Sequence, residues 1–362
     1  MRLNVRGLRD LDWVIVTLAV VIAALGMIQI YTATHETRWY NAWWRQAVYI
    51  GMGIGGMLAM SRADYHSLIG KSMPLFVIAN VLLVVVLVVG TTVFGSRRWI
   101  NIAGFHFQVS EFAKLVIILL VARYLTSTKN DTLQVRELLK IGGLVVIPML
   151  LVMRQPDLGT ALTYLPILGS GILLAGLRNR HLAVLAIAAV VTPVLAYHFA
   201  LKPYQRSRVD SFLDPESDPH GSGYQVIQSK IAVGSGRLFG TQKGMQTQLR
   251  FLPVPHTDFI FATYAEEHGF VGVVVILGLY FLLIMQIVHN AQTAPDRAGT
   301  LVCMGVAALL LFHLLVNVGM VVGHMPITGI PLPLMSAGGS STISMFLMLG
   351  LVQNVRLQRF VH

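Results

Sequence analysis

Asp258 closes the run His256-Thr257-Asp258 and stands immediately before the apolar Phe259-Ile260-Phe261. A carboxylate kept where an apolar segment begins is costly beside lipid, so its presence points to function. Other polar groups hold comparable places. Arg97, Arg98 and Trp99 precede one apolar run, and Glu111 and Lys114 begin it at i, i+3 on one helical face. Gln155-Pro156-Asp157-Leu158-Gly159 opens a second run, with proline suited to a first helical turn, and Tyr204, Arg206 and Arg208 follow a third. A carboxylate within reach of a hydroxyl serves as a general base. Arg and Lys beside it hold phosphate and stabilise charge building there. Together these groups fit transfer from a lipid-linked pyrophosphate. Each also has a plainer reading: Arg97 and Arg98 as solvated loop charges, Glu111 and Lys114 as a structural ion pair, Asp157 and Asp258 as helix caps. For Asp258 the position after Pro253 and Pro255 favours function. A proton-coupled transporter would set acids deep in its spans, whereas the middles of these spans are almost free of charge.

The elements that must carry these residues are membrane helices. The chain of 362 residues is 55% hydrophobic and 12% charged, with mean hydropathy +0.68. Soluble domains carry about 25% charged residues. A helix needs about 20 apolar residues to cross the hydrocarbon core, and on that measure spans fall near 13–32, 46–60, 73–91, 110–125, 139–154, 157–176, 181–200, 259–288, 299–323 and 338–355. The expected fold is therefore an all-α integral membrane protein of about ten transmembrane helices. The second span is short and rich in glycine (Gly51, Gly53, Gly55, Gly56), which suits close helix packing. Arg2, Arg6 and Arg9 before the first span resemble a signal peptide, but the apolar stretch is too long for one that is cleaved.

Most short-loop Lys and Arg fall on the side of the N-terminus; the other side has only Arg38, Arg45, Arg97, Arg98, Lys114 and Arg154. The positive-inside rule then places both termini in the cytoplasm. The whole of 1–362 reads as a single polytopic membrane domain, with 201–258 a large extracytoplasmic loop between spans 7 and 8. In that loop Tyr224, Ile227 and Ile231 recur at i, i+3, i+7, as in a short interfacial helix. Asp214–Pro219 is a turn cluster, and the glycines from Gly221 to Gly244 let the loop fold back on the membrane. Pro326, Pro331 and Pro333 with Gly338-Gly339-Ser340-Ser341 read as a re-entrant turn.

The same composition closes off other classes. The net charge of +11 is spread singly over span ends instead of forming a basic stripe, which speaks against nucleic acid. Cys303 has no partner for a disulfide, and no HxxxH or HxH pair marks a zinc site.

Several motifs together make the chain resemble the SEDS family (shape, elongation, division and sporulation). They are Arg98-Trp99-Ile100, Phe107 to Lys114, Gln155 to Thr160, Asp214-Pro215 through Gly223-Tyr224-Gln225, and Gln228 to Ala232. The series continues with His256 to Phe261, Glu266-Glu267, Asn317 to Met320 and Pro331 to Leu334. The resemblance covers essentially the whole chain. It implies an inverting peptidoglycan glycosyltransferase of cell elongation and cell shape, in a bacterial cell (inner) membrane, that polymerises lipid II with the aspartate matching Asp258 as catalytic base. It also implies a divalent cation, Mg or Mn, no organic cofactor, and a class B penicillin-binding protein among other elongation-complex membrane proteins. Lys114, Arg98, Arg206 and Arg208 are the candidate pyrophosphate contacts, with Glu111 and Asp157 orienting cations or metal. Two positions depart from the family pattern: Val254, often Glu, and Ala337, often Tyr. The competing readings are a lipid II flippase and a non-catalytic scaffold for the penicillin-binding protein.

Overall fold

The computed structural model describes residues 10–359 except 36, 38, 94–95, 103, 129–131, 220, 222, 242–251 and 253–255. In chain order come α1 (Trp13–Thr34), α2 (Ala42–Arg62), α3 (Tyr65–Gly70) and α4 (Ser72–Val89). A small sheet of β1 (Thr91–Val93), β2 (Ser96–Ile102) and β3 (Phe105–Phe107) follows, then α5 (Val109–Ser127), α6 (Val135–Arg154), α7 (Leu158–Leu162), α8 (Tyr164–Ala175) and α9 (Asn179–Leu195). The remainder holds α10 (Pro203–Leu213), α11 (Tyr224–Ser235), α12 (Ile260–Gln292), α13 (Arg297–Val321) and α14 (Gly339–Gln358).

Every expected span falls on helix. Among the described residues, six stretches are long and apolar enough to cross a membrane: α1, α4, α7 with α8, α9 with its extension to Ala200, α12 and α13. The other expected spans coincide with α2, α5, α6 and α14. Helix α4 shows why lipid decides the matter. Its run Val81-Leu82-Leu83-Val84-Val85-Val86 is rich in β-branched residues that favour strands in water. In hydrocarbon a lone strand leaves its backbone groups unpaired, so the run is helical, with Val77, Ile78, Val81, Val84 and Val88 exposed on its surface.

α13 lies at the centre, packed against α12, α8, α5 and α14. The glycine reading of α2 holds at two of four positions. A Cβ on Gly53 would meet the Phe346 ring at 2.5 Å and one on Gly56 would meet Leu347 at 3.0 Å, while Gly51 and Gly55 face open space. Thus α2 and α14 approach closely along one seam only.

Three features differ from the sequence expectation. The span 157–176 is broken at Thr163 into α7 and α8. The stretch read as a loop around Arg97 and Arg98 is an antiparallel sheet in the order β1-β2-β3, pairing Thr92 with Arg97 and Ile100 with Phe107. And α11 is a helix as expected, but it buries Val226, Ser229 and Ala232, leaving Ile231 exposed. It packs on α12 and α13, so contact with protein, not the membrane surface, selects its inner face.

The 201–258 segment also re-enters the bundle. Helix α12 breaks at Gly269 (φ 64°), and the amides freed there are taken up by the loop after α11: Phe270 N donates to Arg237 O (2.8 Å) and Val271 N to Leu238 O (3.1 Å). A helix break at membrane depth requires such replacement partners. The segment 322–338 re-enters too, burying Ile330, Leu332, Leu334 and Met335. Tyr280 donates to Pro333 O at 2.5 Å, and His313 Nδ1 lies 3.1 Å from Pro331 O.

Candidate active site at the head of helix α12

Asp12, Asp64, Asp157 and Asp296 each precede a helix and accept a backbone N–H within it. Asp258 does not. It lies in the turn 256–259, and the N-cap of α12 is Phe259, which makes no side-chain cap bond. The fold holds the Asp258 backbone instead. Asn317 Nδ2, from α13, donates to Asp258 O (3.0 Å) and Ile330 O (2.8 Å). Ser336 Oγ donates to Thr257 O (2.7 Å) while accepting from Leu332 N (2.8 Å), and Ala337 N donates to His256 O (2.9 Å). Three consecutive carbonyls are therefore pinned. The carboxylate is partly buried and accepts no hydrogen bond among the described residues.

Burial pushes the Asp258 carboxyl above its ordinary range, the guanidiniums of Arg98 and Arg208 pull it back, and the charge of Asp157 raises it. Burial lowers His256, two residues before Asp258, to about 4, so this imidazole is neutral at ordinary pH. Arg98 comes from β2. Its Nη1 is 3.3 Å from Asp157 Oδ2, its guanidinium lies 4.3 Å from the centre of the Trp99 ring, and its buried Nε has no partner among the described residues. Arg208 comes from α10 and donates Nη1 to Ile327 O (3.2 Å).

Asp157 unites the two readings open to it. It caps α7 through Thr160 N (3.2 Å), and it also accepts from Thr160 Oγ1 (2.9 Å) and Gln108 Nε2 (2.9 Å) while facing Arg98. Asp258, Asp157, Arg98 and Arg208 thus form one cluster drawn from four separate elements.

The remaining expected site residues stand apart from it. Arg206 turns away to donate to His198 O (2.9 Å). Glu111 and Lys114 form a buried ion pair at 2.8 Å, with His313 Nε2 3.4 Å from the ammonium and Ser344 Oγ donating to the carboxylate at 3.4 Å. That is the structural-pair reading of the two, tying α5 to α13 and α14. Asp157 has its oxygens committed, and among the described residues no group of three or more His, Cys, Asp or Glu is placed to hold a metal.

Spacing alone did not single out Asn317, Ser336 or Gln108 as supports. The available signal was a polar residue inside an otherwise apolar segment. The same signal marks Glu266 and Glu267, which qualify the expectation of charge-free spans: both are buried in α12, and Glu267 Oε2 accepts from Gln29 (3.1 Å) and Thr32 (3.0 Å) of α1. Of the two departures from the SEDS pattern, Val254 lies outside the described residues. At Ala337 the backbone amide makes the contact with His256, which any residue supplies.

The sequence profile of the FtsW/RodA/SpoVE family, described as cell cycle proteins, matches residues 11–360. The chain belongs to this family. It is 32% identical to the peptidoglycan glycosyltransferase RodA of Treponema pallidum, over 99% of this chain and all of that protein. It is 40% identical to the peptidoglycan glycosyltransferase MrdB of Escherichia coli K12, over 86% of this chain and 84% of that one. Among solved structures, a chain of a peptidoglycan synthase complex that coordinates polymerization and crosslinking superposes with a TM-score of 0.84 at 37% identity, covering 97% and 99% of the two chains. Thermus thermophilus RodA gives 0.72 at 31%, covering 97% and 98%. The membership agrees with the resemblance carried by the motifs.

Proposed function

We propose that this chain is a peptidoglycan glycosyltransferase in which Asp258 takes the proton from the acceptor sugar's hydroxyl. The hydroxyl oxygen attacks the anomeric carbon of a pyrophosphoryl-linked donor. The new glycosidic bond forms on the face opposite the breaking C–O bond, whose electrons leave with the pyrophosphate. The configuration inverts, and pyrophosphate departs without a strong acid. Glycosyl transfer in peptidoglycan is the activity for which the two relatives are named.

One observation carries the assignment of the base: the carbonyls of residues 256–258 are all held, while the carboxylate accepts no hydrogen bond among the described residues. Pinning the backbone orients the group and leaves its lone pairs for substrate. Arg98, whose Nε has no partner among the described residues, and Arg208 are the cations beside the base, and they meet the pyrophosphate. An Mg or Mn ion, which needs only one or two protein carboxylates beside substrate phosphates, would offset the charge of the pyrophosphate. The chain works in the bacterial cell membrane beside a class B penicillin-binding protein, in keeping with the synthase complex it superposes on.

The test is to supply labelled lipid II with Mg or Mn to the chain purified with its partner. Wild type makes polymer and Asp258→Ala makes none. Polymer that survives the substitution sinks the assignment of the base. Lipid II that crosses vesicles without forming polymer would support the flippase instead.

A further inference from the structure

A cavity of about 430 Å³ beside the Gly269 break is lined mainly by apolar residues, and nothing near it says what fills it. A second cavity, about 260 Å³ between α10 and α11, is different in kind. Tyr204, Ser207, Arg208, Gln225, Val226 and Ile327 line it. It adjoins the base through a shared wall. Arg208 both lines the cavity and acts on Asp258, and it is held there by Ile327 O at 3.2 Å. Two residues further on, Gly329 (φ 72°) passes so near that a Cβ would stand 3.4 Å from Asp258 Oδ2. The segment 327–329 therefore touches the cavity and the carboxylate alike.

The lining has the wrong chemistry for the other parts of a lipid-linked substrate. A pyrophosphate calls for clustered cations, and this cavity has Arg208 alone, on the wall it shares with the base, while Arg98 lies outside the lining. An isoprenoid chain calls for an apolar wall, and here a phenol, the hydroxyls of Ser207 and Ser211, a primary amide and a guanidinium interrupt it. One cation, neutral donors and acceptors, and an apolar side formed by Val226 and Ile327 match a sugar ring with an amide substituent. Such a ring has hydroxyls on its rim and a C–H face. The cavity is smaller than pockets that enclose a whole drug-sized molecule, which fits one ring.

We propose that the cavity between α10 and α11 is the acceptor-sugar subsite. It holds an N-acetylated hexosamine with its reacting hydroxyl turned toward Asp258, and Gln225 pairs with the N-acetyl amide. This rests on the glycosyltransferase reading and names the part of the substrate that this wall of the site recognises.

The test uses the purified complex with lipid II as substrate and two inhibitors: the soluble disaccharide of N-acetylglucosamine and N-acetylmuramic acid, free of lipid and phosphate, and inorganic pyrophosphate. Gln225→Leu and, separately, Ser207→Ala are compared with wild type. Each variant should raise the KM for lipid II and the inhibitory concentration of the disaccharide about five- to tenfold, the loss expected for about one hydrogen bond. The kcat should stay within about twofold, and inhibition by pyrophosphate should not change. Weakened pyrophosphate inhibition with unaltered disaccharide inhibition would overturn the proposal, as would a fall in kcat at constant KM. Should wild type make no polymer, the glycosyltransferase reading fails by itself. Disaccharide binding measured by saturation-transfer NMR then decides the subsite: wild type binds and Gln225→Leu does not, or the subsite is wrong.

Discussion

Asp12 and Asp258 each sit at the edge of a membrane helix, about 40 Å apart along α12 at 1.5 Å per residue, and the fold treats them in opposite ways. At Asp12 the carboxylate is saturated. It caps Val14 N at 3.2 Å and accepts from Gln286 (2.8 Å), Asn290 (2.9 Å) and Arg356 (2.5 Å), while Gln353 bonds its backbone on both sides. That aspartate clamps α1, α12 and α14 together. At Asp258 the carbonyl is held, as are the two before it, and the carboxylate, which accepts no hydrogen bond among the described residues, is left to the cluster with Arg98, Arg208 and Asp157. A buried polar group that is fully bonded stabilises a fold, while one whose bonds are kept for another molecule is part of a site.

The comparison can be broken in four ways. Asp258→Asn should cost about 10³-fold in kcat, the range of a lost general base, without lowering the Tm of the detergent-solubilised protein. A large fall in Tm would make Asp258 another clamp. Asp12→Ala should do the reverse, removing about 3 kcal/mol of stability because it leaves Arg356 and two amides unpaired, while activity per folded molecule persists. Thermal unfolding alongside single-turnover rates separates the two. Ser336→Ala, which removes the hydroxyl's bond to Thr257 O, should lower kcat roughly tenfold at unchanged KM. An altered KM with constant kcat would mean that Ser336 meets substrate instead of positioning the base.

The smallest effect is on pH dependence. Burial raises the Asp258 carboxyl and Arg208 opposes that, so Arg208→Gln should raise it further. In the proposed role the carboxylate works ionised, so activity should fall as pH drops through its pKa. The acid limb of kcat/KM should therefore move to higher pH in Arg208→Gln and stay in place in Arg356→Gln. A limb that moves to lower pH would contradict this electrostatic account.

How far the site was legible depends on the kind of interaction. Asp258 could be read directly because an acid at the start of an apolar run is expensive anywhere in a membrane. Arg98 and Asp157 were legible as candidates, but their pairing was not, since β2 and the head of α7 meet only after folding. Lys114 looked like a phosphate ligand from its position at a span end. The structure shows the ammonium closed on Glu111, because i, i+3 neighbours in a buried setting satisfy one another first. Arg206 and Arg208 are two residues apart on α10, and the helical turn sends one to His198 and the other toward Asp258.

The sequence by itself determined the helical, membrane-embedded class and the near position of every span, because bilayer thickness and backbone hydrogen bonding leave few alternatives. Through its motifs it also pointed to the family and to Asp258. Only the tertiary structure decided which carboxylates are clamps and which is presented. It likewise decided that α11 turns Val226, Ser229 and Ala232 inward, and that Asn317 and Ser336 hold the turn that carries Asp258. These depend on contacts between residues 59 and 79 positions apart, or between whole helices, and local periodicity carries no information about such distant pairs.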